Sequence, residues 1–238
     1  MKIPAILLSF LKRFEVVTLV AIFVVAGALW SFVALADEML EGDLGGFDER
    51  VLLALRTPGD VSNPIGGEHV EIAMRDLTAL GGVSVLTLIT LTVLMLLLLH
   101  RQRSSALFMG VAVMGGLLIS NLAKTGFSRP RPDLVPHALD AATASFPSGH
   151  SMMAAVTYLT IAVMIARVEK RMRLKVFYFA AAIVVTVMVG LSRVYLGVHW
   201  PTDVLAGWML GAAWALGVWL LARALAKRGT IEPEGGIG

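Results

Sequence analysis

The sequence contains no cysteine and few charged residues for its length. Without cysteine, the chain cannot form disulfides, use a thiol nucleophile or bind zinc or an iron–sulfur cluster through thiolates. Charged residues make up 16% of its 238 residues, whereas about a quarter is usual in a soluble domain. Hydrophobic residues make up 57%, and the mean hydropathy is +0.80. The composition therefore excludes an ordinary soluble domain and indicates a membrane protein.

Nucleic acid is not an expected partner, and the sequence does not reveal the oligomeric state. The formal net charge is +3, and the basic residues form no long run interleaved with aromatic residues in polar surroundings. A surface that binds nucleic acid usually has such a basic patch.

Six stretches lack Asp, Glu, Lys and Arg, and about 20 such residues cross a bilayer as a helix. They are Val16–Ala36, Leu77–Leu99, Ser104–Ala123, Ser151–Ala166, Val176–Leu191 and Val204–Ala222. The fourth and fifth contain only 16 residues each, so we expect them to extend into polar residues at one end. The first ends in Ala-Leu-Ala, as at a signal-peptidase site, but it is longer than the about 7–15 apolar residues of a signal peptide and is expected to be retained. The sequence thus predicts an all-α polytopic membrane protein, a six-transmembrane-helix bundle.

The basic residues are unevenly distributed about these spans. If the spans alternate in direction, one side comprises residues 1–15, 100–103, 167–175 and 223–238. This side holds 13 of the 20 basic residues and four of the 17 acidic residues. Because an excess of Lys and Arg in short loops marks the cytoplasmic face, we expect both termini to be cytoplasmic, in what looks like a bacterial inner membrane. The outer side then comprises residues 37–76, 124–150 and 192–203.

Residues 37–76 are punctuated by Gly and Pro and are expected to be loop-like. Within them, apolar residues recur at helical spacing beside charged residues such as Asp48, which predicts one short extracytoplasmic helix. The apolar positions are Phe47, Val51, Leu52 and Leu55. The pattern fits a helix lying at the membrane interface and, equally, a helix packed on the rim of the bundle. Residues 1–228 are expected to form a single domain, and residues 229–238 to be a disordered tail.

Polar residues form three clusters at the predicted outer ends of the spans, where charged groups are costly and usually functional. The first contains Lys124, Arg129 and Arg131; the second contains Ser148, Gly149 and His150; the third contains Arg193, His199 and Asp203. Taken singly, such cations are often membrane anchors, and Ser-Gly before a helix is often a cap. Together, guanidinium groups that grip phosphate oxygens and a helix N-terminus that binds anions indicate a site for phosphoryl transfer.

The histidines and the carboxylate complete this chemistry. His150 and His199 can act as acid, base or nucleophile near neutral pH. Asp203 is four residues beyond His199 and shares its face if the sixth helix has already begun there. A carboxylate at that position could keep one ring nitrogen protonated and leave the other as a nucleophile. The remaining histidines, His69 and His137 in predicted loops and His100 at the inner end of a span, are expected to take no part.

The three clusters resemble the signature of the type 2 phosphatidic acid phosphatase family, which also includes glucose-6-phosphatase and the vanadium haloperoxidases. The matching segments are Lys124 followed after six residues by Arg131-Pro132; Pro147-Ser148-Gly149-His150; and Ser192-Arg193, then His199 after five residues and Asp203 after three more. The signature covers residues 124–203. It does not require Arg129.

The resemblance implies a role for each matching residue. His199 is expected to take the phosphoryl group as nucleophile, Asp203 to orient it, and His150 to protonate the leaving oxygen and later to activate water. The phosphate is expected to be bound by Lys124, Arg131, Ser148, Gly149 and Arg193. No metal or other cofactor is implied, and the sequence has no carboxylate cluster suited to magnesium.

A site at the outer end of short spans can receive a lipid headgroup from the membrane, so a lipid phosphate is the favoured substrate. Among bacterial relatives, the candidates are undecaprenyl pyrophosphate, phosphatidylglycerol phosphate and phosphatidic acid. The alternatives with the same site are a lipid A phosphatase and a phosphotransferase that passes the phosphoryl group to another lipid. Outside the enzyme class, a protein that only binds or transports a phosphate-bearing lipid remains an alternative.

Overall fold

The computed structural model describes residues 16–135 and 143–227, and within these ranges the chain forms eight helices and one two-stranded hairpin. The helices are α1 (Val16–Glu41), α2 (Gly45–Ala54), α3 (Gly67–Ala79), α4 (Val83–Leu99), α5 (Arg103–Phe127), α6 (Gly149–Val168), α7 (Met172–Tyr195) and α8 (Pro201–Lys227). Strands β1 (Arg56–Thr57) and β2 (Asp60–Pro64) pair antiparallel between α2 and α3. The expectations for the N-terminal basic residues, His137 and the tail 229–238 lie outside the described residues.

Six membrane spans are present if α3 and α4 are counted together. Helices α1, α5, α6, α7 and α8 are each long and apolar enough to cross a bilayer. The pair α3 and α4 passes the same test only as one unit, and it is bent by 45°. The chain is therefore an integral membrane protein with a helical bundle, as predicted.

The second predicted span, Leu77–Leu99, is wrong as a continuous helix. Its first residues belong to α3, and the chain breaks at Gly81 and Gly82 before α4 begins. A side chain at Gly81 would place its Cβ 2.4 Å from Val189 and 3.1 Å from the carbonyl oxygen of His150. Glycine lets the backbone pass this close to α6 and α7 at the break between α3 and α4.

The two short spans extend into polar residues, as expected. Helix α6 begins at Gly149 rather than Ser151, and α7 continues to Tyr195 and so includes Arg193. Helix α5 also runs past its predicted end and carries Lys124 in its last turn. The C-terminal ends of α5 and α7 and the N-terminal ends of α6 and α8 thus carry the clusters that the sequence singled out.

Helices α6 and α8 pack closely through two glycines of α8. A Cβ at Gly207 would lie 2.7 Å from the carbonyl oxygen of Ser148, and one at Gly211 would lie 2.6 Å from the carbonyl oxygen of Met152. Small residues four apart let membrane helices approach in this way. The Gly207–Gly211 motif therefore packs two helices of the same chain against each other.

Residues 37–76 contain more regular structure than expected. Helix α1 continues to Glu41, and α3 and the hairpin lie in what was predicted to be loop; His69 is thus an exposed residue of α3. The predicted short helix is α2, and it packs on the rim of the bundle, since Leu52 is fully buried against Val194 and Val204. Asp48, expected on its polar side, is fully buried as well.

Candidate active site

His199 lies in the turn between α7 and α8, with its side chain 2% exposed. Its Nδ1 is 3.4 Å from Oδ2 of Asp203 and 3.2 Å from Oγ of Ser145, and the Ser145 hydroxyl donates a short hydrogen bond to the same carboxylate. Because α8 begins only at Pro201, His199 and Asp203 do not share a helix face as predicted. Asp203, in the first turn of α8, reaches back instead and also accepts the backbone N–H of Trp200 at 2.9 Å.

The other nitrogen of the His199 ring faces a cation. Nε2 is 3.3 Å from Arg131, whose same terminal nitrogen donates to the carbonyl oxygen of Val198 at 2.7 Å. A carboxylate beside Nδ1 holds the ring proton there, and we therefore assign Nε2 as the unprotonated nitrogen. Burial lowers the pKa of His199 from 6.5 to about 4, although Asp203 acts in the opposite direction. The ring is thus neutral at pH 7, with a free lone pair on Nε2.

Lys124 and Arg131 are brought together by Thr143, which sequence reasoning missed. The Thr143 hydroxyl accepts from Lys124 at 3.2 Å and from Arg131 at 3.3 Å, and its carbonyl oxygen accepts from Nε of Arg131 at 3.0 Å. Burial lowers the pKa of Arg131, while Asp203 raises it. Thr143 is exposed, so these two cations lie near the mouth of the site.

Arg193 forms the deep side of the site. Its side chain lies at the end of α7, the residue is 4% exposed, and one terminal nitrogen donates to Oγ1 of Thr78 in α3 at 2.9 Å. Its Nε is buried without a hydrogen-bond partner among the described residues. Since an unmade hydrogen bond at a buried donor costs about 1–3 kcal/mol, this nitrogen is suited to a ligand oxygen.

The N-terminus of α6 forms another side of the site. Ser148 is the N-cap residue, and its side chain accepts from Ser151 at 3.0 Å instead of capping the helix, so the first N–H groups of α6 have no side-chain cap from it. A Cβ at Gly149 would lie 3.2 Å from Nζ of Lys124, so this ammonium group sits directly against the helix end. An anion bound here would contact both the Lys124 ammonium group and the first N–H groups of α6.

His150, the second residue of α6, lies within the same group of charges. It interacts electrostatically with the three cations of the site and with the second histidine, namely Arg193, Lys124, Arg131 and His199. The structure thus brings together all eight residues that the sequence assigned to the site. Within residues 16–135 and 143–227, no group of three or more His, Asp or Glu side chains is arranged to hold a metal ion.

Arg129 is not part of the phosphate-binding group. It donates to Oδ1 of Asp203 and to Oδ2 of Asp48, both at 2.7 Å, and to the hydroxyl of Thr202 at 2.8 Å. Sequence reasoning missed Asp48 in this role, although its position four residues before the buried Leu52 places both on one face of α2. No sequence signal marks Ser145, Thr143 or Thr78.

The comparisons with known proteins agree with this picture. The profile of the PAP2 superfamily matches residues 105–227. Phosphatidylglycerophosphatase B of Bacillus subtilis is 36% identical over 139 residues, which are 58% of this chain and 68% of that protein. The undecaprenyl-diphosphatase of Sulfolobus acidocaldarius is 28% identical over 126 residues, 50% of this chain and 55% of that one. The chain thus spans about two thirds of the first relative and about half of the second.

One solved structure is similar over most of its length. The crystal structure of a transmembrane PAP2-type phosphatidylglycerolphosphate phosphatase from Bacillus subtilis superposes with a TM-score of 0.70 at 27% identity. The alignment covers 86% of this chain and 96% of that chain. Fold and site together define an integral membrane phosphatase. Since the family profile covers more than half of the sequence, the chain belongs to the PAP2 superfamily, as the three-part signature indicated.

Proposed function

We propose that this protein is a metal-independent membrane lipid phosphatase that works through a phosphohistidine intermediate at His199. The observation that carries the proposal is the orientation of the His199 ring. Nδ1 is held beside Asp203 and Ser145, whereas Nε2 lies 3.3 Å from Arg131. A neutral imidazole so held has its nucleophilic nitrogen directed toward the group of cations that would bind a phosphate.

In the first step, Nε2 attacks phosphorus, a nitrogen–phosphorus bond forms, and the bond from phosphorus to the leaving oxygen breaks. His150 supplies the proton that the leaving oxygen takes up. The charge on the phosphoryl oxygens is met by Lys124, Arg131 and Arg193 together with the first N–H groups of α6, and phosphoryl transfer gains most of its rate from such stabilisation.

In the second step, water accepts the phosphoryl group from His199. His150, having lost its proton, takes a proton from the attacking water, an oxygen–phosphorus bond forms, and the bond to Nε2 breaks. Inorganic phosphate leaves and the neutral His199 is restored. His150 thus serves once as acid and once as base, which balances the protons over the cycle.

The substrate we propose is a lipid phosphate or pyrophosphate that reaches the site from the membrane. The site lies at the ends of four membrane-spanning helices, and the similar proteins are named for phosphatidylglycerol phosphate and undecaprenyl diphosphate. The loop that joins α6 to α7 contains Lys170 and Arg171, is followed by Arg173 in the first turn of α7, and lies at the opposite end of the bundle. This supports an active site on the extracytoplasmic side.

The test is phosphate release by the purified, detergent-solubilised protein from phosphatidylglycerol phosphate, undecaprenyl pyrophosphate, phosphatidic acid and lipid A. His199→Ala and His150→Ala are expected to lose activity by at least about 10³-fold, whereas His69→Ala, which changes an exposed histidine of α3, is expected to keep it. A folded His199→Ala variant that still turns over would overturn the proposal.

The intermediate itself is tested with substrate labelled at the transferred phosphate. Rapid acid-free quenching of the wild type should trap label on the protein that is stable in base and lost in acid, as expected of a phosphorylated histidine. His199→Ala should trap none. Label on a peptide without His199 would assign the nucleophile elsewhere, and label passed to a second lipid instead of water would identify a phosphotransferase.

A further inference from the structure

A carboxylate outside the family-matched region holds the active-site carboxylate through one arginine. Asp48 lies in α2, and the profile of the superfamily begins only at residue 105. Oδ2 of Asp48 accepts from Arg129 at 2.7 Å, and the other terminal nitrogen of Arg129 donates to Asp203 at 2.7 Å. Both carboxylates are at most 1% exposed. The four groups Asp48, Arg129, Asp203 and His199 therefore form a continuous buried chain.

Asp48 also holds the start of α8. Its Oδ1 accepts the backbone N–H of Thr202 at 3.0 Å, and its Oδ2 accepts the Thr202 hydroxyl at 2.6 Å. The first N–H groups of a helix lack intrahelical partners, so Asp48 caps α8 from a different helix. The residue after Thr202 is Asp203, and the turn before it carries His199. Asp48 thus fixes both the side chain and the backbone that present the nucleophile.

We infer that Asp48 and Arg129 are positioning residues for the reaction, and that α2 takes part in catalysis through them. This rests on the proposed roles of His199 and Asp203. The hydrogen bonds of Arg129 go to Asp48, Asp203 and Thr202, so it acts through Asp203, whereas Asp48 acts through Arg129 and through the α8 backbone at Thr202. With Arg129 between them, each of the two buried carboxylates has a cationic partner, whereas an unpaired buried charge is strongly destabilising.

The test combines Asp48→Asn, Arg129→Gln and the double variant, with Glu49→Gln as the matched control. Glu49 is the neighbouring carboxylate of α2 and is exposed. Since misplacement of a reacting group by about 1 Å costs about 10²-fold, Asp48→Asn and Arg129→Gln should each lower kcat by about tenfold or more, with KM changed less than about twofold. Glu49→Gln should leave both constants unchanged.

The double variant separates positioning from a merely structural role. Asp48→Asn keeps an oxygen that can accept the Thr202 N–H and removes the charge that pairs with Arg129. Adding it to Arg129→Gln should therefore lower kcat by less than about threefold, because interacting residues are not additive. Independent structural effects would multiply instead. Thermal unfolding of each variant in detergent shows whether it is folded. Multiplying effects, or an Asp48→Asn variant with normal kcat, would refute the inference, whereas an active His199→Ala variant would refute the proposed function instead.

A second feature lies at the opposite end of the bundle and is independent of the catalytic chemistry. A groove of about 830 Å³ lies between α1, α6, α7 and α8, with apolar walls that include Val20 and Phe179. Three cations line it as well, Arg167 at the end of α6, Lys175 at the start of α7 and Arg223 in α8. A groove of this size accommodates an acyl chain, and its charged residues are all of one sign.

Two cations of the groove, Arg167 and Lys175, have no acidic partner within the described part of the chain. Arg167 and Lys175 are half-buried, and within the described part of the chain neither has a hydrogen bond or an ion pair with a carboxylate. The guanidinium of Arg223 lies 5.3 Å from the centre of the Trp219 ring. Basic pockets between transmembrane helices bind the headgroups of anionic lipids.

We propose that this groove binds an anionic phospholipid, with its phosphate between Arg167 and Lys175 and an acyl chain against the apolar wall. The test compares thermal unfolding of the detergent-solubilised protein with added phosphatidylglycerol or phosphatidylcholine. Specific binding should raise the Tm by about 3 °C or more with the anionic lipid only. The matched control is Lys170→Gln/Arg173→Gln, which removes two exposed cations, one in the adjoining loop and one in the first turn of α7.

Arg167→Gln/Lys175→Gln should lose the difference between the two lipids, and the control pair should keep it. If the groove variant keeps the difference, the anionic lipid binds elsewhere, the catalytic site included, and the proposal fails. Equal shifts with both lipids would mean that the groove does not select for charge, or that something else, such as residues 1–15, fills it. That result too would overturn the proposal.

Discussion

Replacing Gly207 with alanine should disturb the site from a position that touches no substrate. The new Cβ would lie 2.7 Å from the carbonyl oxygen of Ser148, where ordinary contact begins at 3.4 Å. The N-terminus of α6 must therefore move by about 0.7 Å, which is the difference between these distances. Overpacking of this kind costs about 1–3 kcal/mol, and the shift changes the position of Gly149 and His150 relative to Lys124.

The expected result is a Tm lower by about 2–10 °C and a kcat lower by about tenfold or more, because catalysis loses about 10²-fold for a displacement of 1 Å. Gly217→Ala is the matched control, since it lies on the same helix with nothing within 4 Å of the new Cβ. It should be neutral or stabilising by up to about 1 kcal/mol. Equal behaviour of the two variants in unfolding and phosphate-release assays would refute the close packing of α6 on α8.

Three further predictions concern the site itself. Thr78→Val removes the acceptor of Arg193 and should raise KM several-fold in phosphate-release assays; an unchanged KM would mean that Arg193 does not need this anchor. The pKa of His199 is about 4 when folded and 6.5 when unfolded, so the unfolded state binds more protons between these values and stability falls as pH falls through that window. Relative to His199→Gln, the wild type should lose about 2–3 kcal/mol between pH 7 and pH 4.5, and parallel unfolding curves would contradict this. Vanadate, which can adopt the geometry of a pentacoordinate phosphoryl group, should inhibit, whereas EDTA should not; activity lost to EDTA and restored by magnesium would contradict the metal-independent mechanism.

Hydropathy and motif spacing were sufficient to predict five of the six spans and the residues that the structure gathers at one end of the bundle, because both depend on residues that are exceptional at membrane depth. The 16-residue stretches Ser151–Ala166 and Val176–Leu191 were too short to cross a bilayer alone, and the structure completes them with Gly149, His150 and Arg193. A charged residue inside a span is costly and is usually retained for function, so its position along the chain indicates where a functional site lies.

The supporting residues could not be predicted because their partners are distant in sequence. Asp48 is 81 residues from Arg129 and 154 from Thr202, and a charged residue in a short helix is ordinarily solvated. The hydroxyls of Ser145 and Thr78 have no distinctive neighbours along the chain. The break between α3 and α4 likewise depends on how close Gly81 comes to α6 and α7, which only the packed bundle determines.

The meeting of four helix ends has a consequence for the site between turnovers. Each helix has a macrodipole, with a partial positive charge at its N-terminus and a partial negative charge at its C-terminus. Lys124 and Arg193 lie in the last turns of α5 and α7, and Asp203 lies in the first turn of α8. Each of these charges is therefore compensated by a helix end even when no phosphate is bound. The helix ends thus offset part of the mutual repulsion of the cations and help to keep them gathered at the site.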